Sequence, residues 1–100
     1  VSKDYGFIVG MLIGSEAELL TLAVDPQQHR KGIATKLLKE FENLCRSNTI
    51  KKIILEVMET NRPALKLYET NNFIVQGARK DYYSGVNGIK VSAIIMTKVL

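Results

Sequence analysis

The sequence predicts an α/β fold built on a mixed sheet. Two segments with helical spacing of apolar residues lie among five β-rich runs, a nearly unbroken apolar run occupies the middle of the chain, and turn residues punctuate the junctions. The predicted order is β, β, α, β, α, β, β. One hundred residues, 46% apolar and with a mean hydropathy near zero, are expected to form a single domain over 1–100, close to the size at which one core can support itself.

Tyr5 to Ile13 is rich in β-branched and aromatic residues, Gly14 and Ser15 supply turn chemistry, and Leu19 to Val24 is a second apolar run, so the chain opens as a β-hairpin. Asp25 and Pro26 stop the second strand. After a polar loop, Ile33, Leu37, Leu38, Phe41, Leu44 and Cys45 recur at helical spacing, with Lys36, Lys39, Glu40 and Glu42 on the outer face. Ile53 to Val57 is apolar almost without alternation, the pattern of an interior strand covered on both sides. A second helix has Pro63 in its first turn, where a missing N–H costs little, and carries Ala64, Leu65, Leu67 and Tyr68. Asn71 and Asn72 end it, because asparagine tolerates the left-handed conformation of a helix stop. Phe73 to Ala78 resumes strand character and runs on to Tyr83, Ser84 to Gly88 is a turn-rich loop, and Val91 to Val99 is the final strand.

Composition narrows the function classes. The apolar stretches around Phe7 to Ile13 and Leu19 to Val24 are far short of a bilayer span, and no charged start followed by an apolar core reads as a signal peptide, so a cytoplasmic location without membrane contact is expected. Cys45, the single cysteine, falls on the apolar side of the first helix and reads as a buried thiol; no cysteine metal site and no disulfide within the chain follow, and no metal is expected. A formal charge of +4 is modest, and the cations are scattered except at Arg30-Lys31 and Lys51-Lys52. Aromatics and cations form no shared stripe, which favours a polyanionic small ligand over nucleic acid. The chain starts at Val1 and enters strand-like sequence almost at once, as expected of a piece of a longer protein.

Four places carry candidate chemistry. The segment from Val24 to Thr35 joins a strand to an amphipathic helix, and such a turn offers N–H groups and the positive end of a helix dipole to an anion. Gly32 and Ala34 keep side chains clear of a bound group, and Arg30 and Lys31 add charge suited to phosphates; an ordinary helix entry with solvated cations is the competing reading. The segment lacks the ending of a nucleotide P-loop and lacks G-x-G-x-x-G. Glu56 stands in an apolar strand, where an ionised carboxylate is costly unless it faces a polar cavity or points to solvent from the strand's end. From periodicity Tyr68 reads first as a core aromatic, and Asn61 reads equally as a helix cap. Tyr82 and Tyr83 precede the Gly-rich loop; strict alternation sends them to opposite faces, either to shape a cleft or to pack across strands.

Together these segments resemble the GNAT superfamily of acetyl-CoA-dependent N-acetyltransferases. "HRKGIA" after V-D-P is similar to the family's Gln/Arg-x-x-Gly-x-Gly/Ala turn, with His29 where Gln or Arg is usual. "LEVMETNRPALKLYETNNF" is similar to L-E-V-R-x-x-N-x-x-A-x-x-L-Y-x-x-x-G-F, with Met58 in place of arginine and Asn72 in place of glycine. The tail "RKDYYSGVNGIKVSAIIMTKVL" resembles the subgroup that acetylates the N-terminal alanine of a ribosomal protein.

The resemblance implies a mixed, mostly antiparallel sheet with helices on both faces, without the family's first strand, first two helices and most of the second strand. It implies acetyl-CoA as cosubstrate, held at its phosphates by His29, Arg30, Lys31, Gly32, Ile33, Ala34 and Thr35. Backbone groups of Leu22, Ala23 and Val24, and the side chain of Asn61, would bind the pantetheine arm. Glu56 would be the general base acting through water, Tyr68 the acid that protonates the CoA thiolate, and Tyr82 or Tyr83 a wall of the acceptor cleft. The acceptor implied is a protein N-terminal amine, such as that of a ribosomal protein beginning with alanine. A lysine or small-molecule amine is the alternative, and a CoA-binding or interaction module without turnover is the alternative of another class. Without a neighbouring strand, the edge of Tyr5 to Ile13 is expected to lead the chain to dimerise, to exchange strands or to be less soluble.

Overall fold

The computed structural model describes residues 1–3, 5–28, 32–84 and 86–100. In chain order these contain a short β1 (Ser2–Lys3), β2 (Gly6–Ile13), β3 (Glu16–Val24), α1 (Ile33–Ser47), β4 (Lys52–Met58), α2 (Arg62–Thr70), β5 (Ile74–Ser84) and β6 (Lys90–Val99). Single 3-10 turns lie at Pro26–Gln28 and Val86–Gly88. The expected element order is found, with β1 added in front, and the pairs β1–β2, β2–β3 and β5–β6 are all antiparallel. Two compact units divide the chain: Val1–Ile53 with Val99–Leu100, and Ile54–Lys98.

In the first unit, β2 and β3 are joined by a two-residue turn in which Gly14 has φ 61°, a conformation that tight hairpin turns require and glycine supplies without strain. The register slips between Val9 and Gly10, which leaves Leu20 as an extra residue on β3. At that slip Gly10 lies beneath α1: a Cβ there would stand 2.4 Å from the Phe41 ring. Ile8, Ala17 and Leu19 are buried, as are Leu37, Leu38, Phe41 and Cys45 of α1. Phe7, Val9, Met11 and Ile13, which alternate with Ile8 along β2, are exposed. Asp25 ends β3 by accepting the Gln27 amide at 2.9 Å.

Helix α1 corrects one detail of the predicted pattern. Glu42, expected on the outer face, is 4% exposed, whereas Leu44 is 45% exposed. Residues 38, 41, 42 and 45 complete the i, i+3, i+4, i+7 stripe, and Leu44 falls outside it. Arg46 lies 3.7 Å from the Glu42 carboxylate one turn on. Burial, and next the Glu42 charge, push the Cys45 thiol up, which suits an unreactive core position. The helix closes with Thr49 at φ 57°; the Thr49 and Ile50 amides donate back to the Arg46 and Cys45 carbonyls, a Schellman stop.

In the second unit the strand order is β4-β6-β5. Strand β4 is not covered uniformly as its sequence suggested: Ile53, Leu55 and Val57 are buried, while Ile54 and Glu56 are half-buried, so the two faces of the strand differ. Helix α2 begins at Asn61, whose side chain accepts the Ala64 amide at 3.3 Å, with Pro63 in the first turn. It ends with Asn72 at φ 71°, as expected, and the Asn72 and Phe73 amides donate to the Glu69 and Tyr68 carbonyls. The Tyr68 and Phe73 rings meet edge to face at 5.5 Å, the apolar contact that usually accompanies such a stop. Strand β5 pairs with β6 through two irregularities, one leaving Gln76 extra and one between Arg79 and Tyr83.

Candidate active site

In the first unit the expected anion turn is a glycine-initiated helix. Gly32 occupies the N-cap position at φ 71° and ψ 15°, and no side chain caps the helix. Its carbonyl accepts the Lys36 amide at 3.1 Å, so the N–H groups of Ile33, Ala34 and Thr35 precede the first bond of the helix ladder. A Cβ on Gly32 would meet nothing within 4 Å, so the demand the structure shows for glycine here is the left-handed backbone conformation. Amides without a side-chain cap at a helix N-terminus fit an anionic group. His29, Arg30 and Lys31, expected to add charge and hydrogen bonds there, lie outside the described residues. Leu22, Ala23 and Val24 form the end of β3, partnered on one side by Ile8, Phe7 and Gly6 of β2.

The second unit carries the side-chain chemistry. The alternation of β4 turns Glu56 away from the buried face, and its side chain is 26% exposed. Its Oε1 accepts an ion-paired hydrogen bond from Arg79 Nε at 3.0 Å. Arg79 stands opposite Ala93 in the β5–β6 register, on the strand beyond β6, and its guanidinium lies 5.0 Å from the centre of the Tyr82 ring.

Tyr82 and Tyr83 depart from the alternation expected of them. Their rings are in edge contact at 5.1 Å and 77° instead of lying on opposite faces. The cause is the bulge: Arg79 pairs with Ala93 and Tyr83 with Val91, so three residues of β5 face Ser92, and Asp81 takes φ 54°. Ser92 anchors this arrangement. Its Oγ accepts the Asp81 amide at 3.2 Å, its own amide donates to Glu59 Oε1 at 3.1 Å, and its carbonyl accepts the Glu59 amide at 3.0 Å.

Tyr68 is 6% exposed, and burial pushes its phenol above its ordinary value, so it holds its proton at neutral pH. Both readings of Asn61 stay compatible, since it caps α2 and is exposed. Sequence reasoning missed Arg79, Glu59 and Ser92. The cation of "RKDYY" was visible, but nothing local signals that it reaches a carboxylate two strands away. Among the described residues no group of three His, Cys, Asp or Glu is arranged to hold a metal ion.

The family model described as the Acetyltransferase (GNAT) family matches residues 5–73. A curated relative, ribosomal protein bS18-alanine N-acetyltransferase of Haemophilus ducreyi, is 36% identical over 94 residues, which are 94% of this chain and 65% of that protein. N-alpha-acetyltransferase 30 of Xenopus laevis is 37% identical over 71 residues, 70% of this chain and 26% of that protein. The crystal structure of the ribosomal-protein-S18-alanine N-acetyltransferase from Escherichia coli matches with a TM-score of 0.88 at 29% identity, covering 98% of this chain and 64% of that one. This chain thus spans somewhat under two thirds of the length of these alanine N-acetyltransferases.

Proposed function

This chain belongs to the Acetyltransferase (GNAT) family, and on that premise we propose that it carries the site of an enzyme that transfers an acetyl group from acetyl-CoA to the N-terminal α-amine of a protein, a ribosomal protein beginning with alanine. The observation that carries the reading is Glu56, a half-buried carboxylate in an apolar strand, at the position where the family resemblance calls for a base. The names of two relatives specify alanine or α-amine acetylation, which supports an N-terminal acceptor.

Acetyl-CoA supplies the acetyl group as a thioester. The first-turn amides of α1 suit its phosphates. In the proposed reaction the neutral amine nitrogen bonds to the carbonyl carbon and the C–S bond breaks. Glu56 takes the amine proton through water, and Tyr68 gives its proton to the departing sulfur. A phenol is protonated at neutral pH at its ordinary value, and burial pushes this one further up. An α-amine with a pKa of ~7.7–8.0 is roughly a tenth neutral at pH 7, whereas a lysine at ~10.4 is neutral in well under a thousandth of molecules. A single carboxylate therefore has far less to do for an N-terminus.

No helix among the described residues is long and apolar enough to cross a membrane. A cytoplasmic location is proposed, in keeping with a ribosomal-protein acceptor. Self-association through β2 is also proposed, motivated by the exposed Phe7, Val9, Met11 and Ile13 and by the β2 edge beyond Ile8, where the backbone pairing of Val1, Ser2 and Lys3 ends among the described residues.

Kinetics on matched peptides starting with Ala, or carrying a lysine behind an acetylated N-terminus, test the acceptor. Faster transfer to the free Ala peptide is expected, and equal or faster transfer to the blocked lysine peptide overturns the N-terminal assignment. Glu56→Gln is expected to retain acetyl-CoA binding by calorimetry while turnover falls ~10²-fold. Unchanged turnover at saturating acceptor removes Glu56 from the mechanism.

A further inference from the structure

Arg79 makes two contacts that together suggest more than a surface ion pair. Its Nε donates to Oε1 of Glu56 at 3.0 Å, and the same guanidinium lies 5.0 Å from the centre of the Tyr82 ring. Ala93, which stands opposite Arg79, places only a methyl beside the arginine stem as it crosses β6. The bulge that follows Arg79, with Asp81 at φ 54° and its amide on the Ser92 hydroxyl, sets Tyr82 where the guanidinium can cover it. A planar, permanently charged group with several directed donors suits both partners at once, pairing with a carboxylate while lying over an aromatic ring; an ammonium is a point charge without that fixed fork.

Resting on the acetyl transfer proposed above, we infer that Arg79 is a positioning residue for Glu56. It engages one carboxylate oxygen, fixes the direction in which the other faces the relayed proton, and ties the carboxylate to the Tyr82 ring. The pair also changes what the site attracts. A bare carboxylate draws the protonated amine, which has no lone pair to give, whereas a carboxylate partly neutralised by Arg79 discriminates less in its favour. Other titratable groups on the surrounding strands are Glu59 beyond β4, Lys80 and Asp81 on β5, and Lys90 and Lys98 on β6, so the test must isolate Arg79. With half of the Arg79 side chain exposed, at 52%, the pair contributes little to stability, and stability is not the quantity it is expected to control.

The experiment compares Arg79→Gln, Arg79→Lys, Glu56→Gln and the double variant Arg79→Gln with Glu56→Gln in the protein as it occurs. Arg79→Gln is expected to lower kcat on the order of tenfold with little change in KM, and to leave acetyl-CoA binding and the thermal midpoint near the parent's. Arg79→Lys is expected to recover kcat in part, because the charge returns while the planar group over Tyr82 does not. If Arg79 acts through Glu56, the double variant is no slower than Glu56→Gln alone. An unchanged kcat in Arg79→Gln, or a double variant slower than Glu56→Gln by the full factor that Arg79→Gln costs the parent, overturns the inference while Glu56 keeps its role. Full turnover in Glu56→Gln overturns the base assignment and this inference with it.

Discussion

The two bulged hairpins use the same backbone irregularity for different ends. In β2–β3 the slip between Val9 and Gly10 lies under the Phe41 ring, and what it settles is how closely α1 approaches the strands. In β5–β6 the slip between Arg79 and Tyr83 lies among polar groups, held by the Ser92 hydroxyl, and what it settles is where Tyr82 and Arg79 point. An extra residue in a strand is thus read by its surroundings. Against an apolar ring it is part of packing, and beside a carboxylate and an arginine it is part of a site.

The sharpest way to break that contrast is to add one methyl group to a glycine in each hairpin. Gly10→Ala puts a carbon 2.4 Å from Phe41 Cζ and 3.0 Å from the Glu18 carbonyl oxygen, so the ring must shift. A loss of about 3 kcal/mol is expected in urea unfolding. Gly77→Ala meets nothing within 4 Å, and a change within about 0.5 kcal/mol is expected. Gly77 lies outside the Arg79–Tyr83 slip and serves as the open-space control; equal costs would show that the Phe41 ring does not make Gly10 a packing position.

Ser92→Ala tests the other hairpin. It removes the acceptor of the Asp81 amide in an exposed bulge, with an expected cost of about 0.5–1 kcal/mol. Its larger consequence is expected in geometry: cross-relaxation between the Tyr82 and Tyr83 rings weakens as the bulge loosens. Retention of the ring contact would mean that strand pairing, not the hydroxyl, aims Tyr82.

The smallest expected effect compares the two helix stops, one in each unit. Thr49 and Asn72 both sit at positive φ, and glycine relieves the strain of either. Asparagine tolerates this conformation better than a β-branched residue, so Thr49→Gly is expected to stabilise by about 1 kcal/mol and Asn72→Gly by about 0.5 kcal/mol. The Thr49 hydroxyl donates to the Asn48 carbonyl at 2.6 Å, and a reversed order in thermal unfolding would show that this bond outweighs the strain.

Much of this molecule was legible from local chemistry. Gly14 marks a hairpin turn, Asp25 and Pro26 end a strand, Asn61 and Pro63 open a helix and Asn72 stops it, because each depends on residues a few positions away. The spacing of Leu37, Leu38, Phe41 and Cys45 and the presence of a carboxylate in an apolar strand belong to the same class of information. The partner of that carboxylate does not. Arg79 meets Glu56 because β6 enters the sheet between β4 and β5, and Tyr82 meets Tyr83 because a bulge suspends alternation. The sequence determined which segments turn, coil and extend, since those preferences act over one or two turns of chain. Only the tertiary structure decided which charges and rings share a face, since strand order and register are set by the sum of packing over the whole sheet.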